Sequence, residues 1–394
     1  MRIAINGAGI AGPTLAYWLR RSGHEVLLVE HAPRPRSGGY IVDFWGLGYD
    51  IAERMGVLDR IREVGYRMRE VRFVDREGRT RGGFPVEVFS RMTGGRYTSV
   101  RRSDIARAIV EALDHGVETI YGDSIAAIET RGDRVHVSFE HAAGREVDLV
   151  VGADGLHSRV RRLAFGPRES FEVSLGYHVA AFEVAGYPRR DELVYVSRSI
   201  PGRQISRFSL RGDRTMFLFV LRDEYLPPGP LSSDEERKLA LGRAYAEAGW
   251  EAPQVLEALR AVDELYFDRV SQIRMERWSR GRVALVGDAA ACVSLMAGEG
   301  TGLGMTEAYV LAGELRSSPD DPDAALARYH ERLRALLVRK QASAARFASS
   351  FAPRTAFGIG FRNVATRLMR IPYVAERLVG VDLRDDFGLP DYGY

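Results

Sequence analysis

The stretch Arg2-Ile-Ala-Ile-Asn6-Gly7-Ala8-Gly9-Ile10-Ala11-Gly12, at the start of the 394-residue chain, decides the fold. Arg2 to Asn6 reads as a buried strand and Pro13 to Ser22 as a helix, with three glycines between them. Gly7 permits the tight turn, Gly9 lets the backbone approach a pyrophosphate, and Gly12 lets the helix pack close to the strand. Ile10 and Ala11 lie where the helix opens and offers free N–H groups and a positive dipole end to phosphate. A second strand, Val26 to Val29, ends in Glu30. That acid stands about 20 residues past the glycines, the distance suited to gripping a ribose 2′-OH. A carboxylate there disfavours a 2′-phosphate, so the site reads as FAD or NAD.

Composition narrows the class. The formal net charge is +3, and no block of like charge stands out, which argues against a nucleic-acid partner. Lys238 and Lys340 are the only lysines, and Cys292 is the only cysteine, so neither an intrachain disulfide nor a thiolate metal cluster is available. No run of about 18 apolar residues is present, so no integral membrane segment is expected. No leader is expected before the first strand, and the cytoplasm is the default location.

Further along, Ile51 to Val64 reads as a helix, Val71 to Asp75 as a strand entering a hairpin at Glu77-Gly78, and Ser103 to Asp114 as a helix capped by Ser103. Val117 to Tyr121, Val135 to Phe139 and Val147 to Gly152 read as strands. From Ser170 the pattern becomes antiparallel: Phe171 to Val184, Leu193 to Ser197, Gln204 to Leu210 and Met216 to Leu221, separated by Pro and Gly. Helices are expected over Asp234 to Ala248, Pro253 to Ala261, Thr306 to Leu315 and Ala324 to Ala348, with a buried strand at Val283 to Val286. The fold class is therefore α/β: a Rossmann-like domain (1–72, 97–169 and 272–323), an inserted antiparallel-sheet domain for substrate (73–96 and 170–271), and a C-terminal helical segment (324–394).

Two more motifs follow buried strands. They are Asp154-Gly155-Leu156-His157-Ser158-Arg159-Val160-Arg161 and Gly287-Asp288-Ala289-Ala290, the latter followed by Gly298-Glu299-Gly300-Thr301-Gly302. With these the chain resembles the class A flavoprotein monooxygenases, the para-hydroxybenzoate hydroxylase-like family that includes tetracycline-degrading enzymes. Their GxGxxG, D-G-x-x-S-x-x-R and Gly-Asp motifs occur here in the same order, over most of the chain. The resemblance implies an FAD-dependent, NAD(P)H-consuming enzyme that hydroxylates an aromatic or polyketide-like molecule with dioxygen, through a flavin C4a-hydroperoxide. It implies that Glu30 binds the adenosine ribose and that Arg102 touches the flavin chain or pyrophosphate. It places Asp154 and Gly155 at FAD and the transient nicotinamide, and Asp288 at the ribityl or pyrophosphate region. Gly298, Gly300, Thr301 and Gly302 would then lie beside the isoalloxazine. The segment Gly38 to Gly46 is similar to the family's flavin-side loop, so Asp43 and Trp45 face the ring or the substrate. No second GxGxxG exists, which fits nicotinamide docking on the FAD domain and disfavours the Baeyer–Villiger type. The chain departs from the family at Ala291 and Leu295, in place of His and Pro, and at Glu299, in place of Gln. A carboxylate at 299 either opposes the reduced flavin anion or is neutral through burial.

Other residues carry plainer readings. Tyr177 and Phe208, from an aromatic stripe that also includes Phe182, Tyr195, Phe217 and Phe219, are candidate substrate contacts, with core packing as the alternative. His178 as a base, Cys292 as a reactive thiol and Arg34 or Arg36 at phosphate each compete with structural or solvated roles. The basic, amphipathic C-terminus around Arg362, Arg367, Arg370 and Arg377 suits packing on the domain or on a second copy, with a membrane-surface helix as the alternative, the state being monomer or homodimer. A non-oxygenating reductase or dehydrogenase of the same fold, and a protein that sequesters a hydrophobic metabolite, remain as other functions. A halogenase is disfavoured because both lysines fall in helical stretches, and a plain NAD dehydrogenase because it has no use for Asp154 and Asp288.

Overall fold

The computed structural model describes residues 1–35, 40–113, 116–188, 191–294, 296, 298–371, 373–374 and 387–394. Arg36, Gly38, Gly39, Asp114, Leu295 and Arg377, each part of an expectation above, lie outside them.

Alternation fails in the first strand, Arg2–Asn6, because both its faces are covered: Ile3, Ala4 and Ile5 are all buried. It sits inside a six-stranded sheet of order Ser279–Arg280, Val283–Leu285, Leu149–Gly152, Arg2–Asn6, Glu25–Glu30 and Glu118–Tyr121. All neighbours run parallel except Ser279–Arg280. The order matters more than the count. The strands that end in the three glycine motifs are adjacent and co-directional, so all three turns emerge at one edge.

Helix Ala11–Arg21 packs along helix Gly300–Ser317, whose Leu303, Met305, Ala308, Tyr309, Val310 and Leu311 are all buried. That helix was expected at Thr306 and begins at Gly300 instead. Glycines at 300, 302 and 304 conceal it, since each costs about 1 kcal/mol against alanine in a helix. They sit at contacts between elements: a Cβ on Gly304 would lie in ordinary contact with Ala11 Cβ, at 3.5 Å, whereas one on Gly48 would lie only 2.4 Å from Gly302 Cα, where backbone meets backbone.

Three further expectations shift. Ile51 to Val64 is two helices, Gly46–Arg54 and Leu58–Val64, parted where Gly56 takes φ +74°. The helix after strand Tyr97–Arg101 is Arg102–Glu111, so Ser103 lies inside it and Arg101 holds the cap position without a side-chain bond. Ile41–Trp45 is a strand paired antiparallel with Tyr97–Arg101.

The second sheet has seven strands, in the order Tyr266–Ile273, Glu172–Ala185, Arg214–Arg222, Arg203–Leu210, Val194–Ile200, Glu70–Val74 and Thr80–Pro85. The domain limits expected at 72/73 and 271/272 fall inside two of these strands. One face carries Phe182, Phe217 and Phe219 against Tyr245 and Leu241 of helix Asp234–Tyr245 and Leu256 of helix Ala252–Ala261. The other carries Tyr177 and Val179, packed on Met296 and Ala352, and Phe208, packed on Tyr66. The stripe thus divides by strand alternation between two cores. Helix Ala356–Leu368 crosses beside Thr80–Pro85, where Arg362 donates to Ser199 Oγ and Gln204 Oε1 and lies over the ring of Phe73. No helix of the described residues is long and apolar enough to cross a membrane.

Gly48→Ala forces backbone apart at its contact with Gly302, and overpacking of this kind costs about 1–3 kcal/mol. Denaturant unfolding is expected to show that loss, whereas Gly23→Ala, where nothing lies within 4 Å, should lose less despite its φ of +81°.

Candidate active site

Gly7, at φ +113°, and Gly12 are closed in by backbone: a Cβ on Gly12 would stand 1.9 Å from Gly7 O, and one on Gly7 2.4 Å from Ala153 O. Gly9 is different. Among the described residues, the atom near its missing Cβ is Arg102 Nη2, at 3.6 Å. The Arg102 guanidinium, at the start of its helix, has no hydrogen bond or ion pair among the described residues. A glycine backbone facing an uncommitted cation is a cradle for a pyrophosphate, so the residues present fit FAD. Glu30, at its strand end, accepts from Ala8 N (2.8 Å) and Ala32 N (2.9 Å), which ties it to the phosphate turn.

The second motif is spent on the protein. Asp154 accepts from Asn6 Nδ2 (2.9 Å), Arg159 N (2.8 Å), Val160 N (3.1 Å) and the Ser158 hydroxyl. Ser158 also caps helix Arg159–Ala164 through Arg161 N. Arg161, 1% exposed, donates to Leu156 O (2.6 Å) and Ala289 O (2.9 Å), which joins the second motif to the third. Sequence reasoning gave Ser158 and Arg161 no role, although their places in D-G-x-x-S-x-x-R were the available signal.

In the third motif Gly287 turns at φ +64° and Asp288 opens the short helix Asp288–Ala291. Asp288 Oδ1 lies 3.5 Å from the Cβ that Gly300 lacks, so it faces the start of helix Gly300–Ser317. Gly287 N donates to Glu307 Oε2 (2.8 Å), and the Tyr329 hydroxyl is 3.2 Å from the same oxygen. Burial pushes the Glu307 carboxyl well above the usual carboxylate range, against those two hydrogen bonds. Nothing in its local sequence marks this glutamate, because its partners lie 20 and 22 residues away.

On the flavin-side segment, Asp43 Oδ1 accepts from Tyr97 Oη (2.5 Å) and Ser99 Oγ (2.6 Å) across the hairpin-like pair. A narrow pocket is lined by Asp43, Trp45, Gly298, Glu299, Gly302 and Lys340. Lys340 reaches it from helix Pro322–Phe351. A helical position therefore did not keep this lysine from the site, as the reasoning against a halogenase assumed. Tyr40 and Tyr266, whose rings are 5.6 Å apart, bring the seven-stranded sheet against the same region; burial raises both phenols, with Arg102 and Asp288 among the charges they feel. Neither was singled out from sequence.

Other candidates lie apart or are committed. His178 is on the sheet face that bears Ala180 and Phe182, its Nδ1 is 2.8 Å from Asp223 Oδ1, and burial lowers its pKa. His157 pairs with Asp268 at 3.1 Å. The Cys292 thiol is buried, its pKa raised well above the ordinary value by burial and then by Asp288. Arg34 is exposed. Tyr177 and Phe208 are 3% and 1% exposed, so each serves first as packing.

Comparison with known proteins agrees with this geometry. Residues 1–342 match the FAD binding domain family. An uncharacterized protein of Mycobacterium tuberculosis is 40% identical over 354 residues, covering 86% of this chain and 91% of its own. A flavin-dependent monooxygenase of Legionella longbeachae is 31% identical, covering 86% and 87%. The crystal structure of the tetracycline destructase Tet(51) superposes with a TM-score of 0.83 at 29% identity, covering 99% of both chains. The fold and site define an FAD-binding flavoprotein. The chain belongs to the FAD binding domain family of flavin-dependent monooxygenases, and its cofactor is FAD.

Two outcomes follow from the geometry. Arg102→Ala is expected to weaken FAD binding about tenfold or more, the loss of one charge-assisted bond, while leaving the melting temperature of the FAD-free protein unchanged. Calorimetric titration with FAD checks the first, and a thermal melt the second. Glu307 holds its proton in the folded state above the pH at which it ionises when unfolded. That group therefore costs stability as pH rises out of the carboxylate range towards its raised folded pKa. Glu307→Gln carries no such cost, so its stability relative to the parent is expected to grow between about pH 5 and pH 8 in urea unfolding curves.

Proposed function

We propose that the protein consumes NAD(P)H and dioxygen to hydroxylate an aromatic or polyketide-like small molecule at FAD held between its two large sheets. Bound FAD supplies the electron and oxygen chemistry, and the chain supplies binding, orientation and exclusion of water. Gly9, the N–H groups at Ile10, Ala11 and Gly12, and Arg102 receive the pyrophosphate, and Glu30 the adenosine ribose. Asp288 receives the ribityl chain, and Gly298, Gly300, Thr301 and Gly302 line the isoalloxazine. Asp154 and Gly155 act by fixing the turn beneath the cofactor, since the Asp154 carboxylate is already filled. Asp43 and Trp45 meet substrate at the flavin-side pocket, with Tyr177 and Phe208 shaping the sheet behind it.

The observation that carries this reading is the convergence of the Gly9–Arg102 cradle, Asp288 and the start of helix Gly300–Ser317 at one sheet edge. The likeness to a tetracycline destructase along the full chain favours a polycyclic, oxygen-rich substrate over a small phenol. The relatives' names favour oxygen insertion over reduction alone.

The test is a visible spectrum of the purified protein, then anaerobic addition of NADPH or NADH with and without phenols and polycyclic aromatics. Flavin that bleaches faster with one class of compound, and yields hydroxylated product on admitting air, is the expected result. Flavin that bleaches equally with every compound and gives no product would make the protein a reductase. Flavin that never bleaches would leave a sequestering role.

A further inference from the structure

Glu299 stands where the family this chain resembles has a glutamine, immediately before helix Gly300–Ser317. Its carboxylate is mostly shielded from water: Glu299 Oε1 accepts from Lys340 Nζ at 3.0 Å, and the two side chains are 16% and 9% exposed. Both line the pocket with Asp43, Trp45 and Gly302. Lys340 comes from helix Pro322–Phe351, 41 residues away. All but two of the chain's 56 cationic Lys and Arg residues are arginine, and one of those two is here. An ammonium is a compact point charge that fits an end-on approach to one carboxylate oxygen, where a planar guanidinium fork would need more room.

The charge arithmetic gives the pair a purpose. Two-electron reduction places negative charge on the N1–C2 edge of a flavin, and a helix N-terminus nearby stabilises that charge. A lone carboxylate at the same helix end would cancel the helix field and repel the reduced cofactor. Lys340 offsets the charge of Glu299, which a glutamine there would not carry, in a slot mostly shielded from solvent. We propose that Lys340 is a positioning residue for the flavin's electrostatics: it neutralises Glu299 at the N-terminus of helix Gly300–Ser317 and so keeps that helix end favourable to reduced FAD. The inference rests on FAD binding alone and requires neither the hydroxylase reading nor any substrate.

The readout is the reduction potential of bound FAD, measured anaerobically against a reference dye in the holoprotein, beside the FAD dissociation constant. Lys340→Met removes the positive charge and is expected to weaken the preference for reduced over oxidised FAD at least tenfold, about 30 mV downward for a two-electron couple. Glu299→Gln removes the negative charge and is expected to move the potential upward by a similar factor. The double variant returns close to the parent, and Lys340→Arg, which keeps the charge, shifts it least.

A pair that merely staples two helices predicts otherwise. Both single variants would then loosen FAD and shift its potential in the same direction or not at all, and either result overturns the proposal. Should Lys340→Met not retain FAD, the nearly isosteric Glu299→Gln decides alone: an unchanged or lowered potential refutes the idea. Failure of the hydroxylase reading would instead show as missing product with these potential shifts intact.

Discussion

At Gly12 a Cβ would stand 1.9 Å from a carbonyl oxygen, at Gly7 2.4 Å from another, and at Gly48 2.4 Å from the Cα of Gly302. These are contacts of backbone with backbone, and no side chain can substitute for them. They bring helix Ala11–Arg21, the Ala153 turn, helix Gly46–Arg54 and helix Gly300–Ser317 together above three adjacent parallel strands. Everything functional depends on that density. It puts Arg102 opposite Gly9 and Asp288 opposite Gly300.

Density at the strand ends creates a second demand, because buried turns expose polar backbone that must be satisfied. The second motif meets it. Asp154 collects two backbone N–H groups and two side-chain donors, and Arg161 covers the carbonyls of Leu156 and Ala289. Motif residues are easily read as ligand contacts. Here aspartate, serine and arginine act together to hold one turn against another, and that explains why their spacing is tied to a short helix between them.

Legibility followed the range of the interaction. The first strand, its glycines and Glu30 lie within one βαβ unit, so sequence alone placed them and named the cofactor class. Five strands of the seven-stranded sheet were visible because apolar alternation is local, whereas Tyr266–Ile273, at its edge, was missed. Ile41–Trp45 was missed since its partner strand lies more than fifty residues on, and its own residues read as a glycine-flanked loop. The start at Gly300 was missed because helix propensity argues against three glycines, and only contact with Gly48, Ala11 and Gly287 justifies them. Glu307, Tyr40 and Tyr266 were invisible for the same reason: each gains its meaning from another element.

The longest-range feature is the antiparallel pair of helices Gly300–Ser317 and Pro322–Phe351. Glu299, Glu307 and Glu314 stand at the start, middle and end of the first, and every one is answered from the second. Lys340 meets Glu299, the Tyr329 hydroxyl meets Glu307, and Arg328 and Arg332 meet Glu314. The answers differ in charge. Burial opposes ionisation of Glu314, yet Arg328, Tyr392 and Arg332 together hold it below the usual carboxylate range. Glu307 meets neutral donors, and burial holds its carboxyl well above the usual range. Sliding the second helix by one turn would take Arg328 and Arg332 from the buried Glu314, at a cost of several kcal/mol. The hairpin's register is therefore fixed by polar matching in a largely apolar interface. A register fixed at Glu314 also delivers Lys340 to Glu299, so packing at the distal end of the hairpin sets the charge in the pocket lined by Asp43, Trp45 and Glu299.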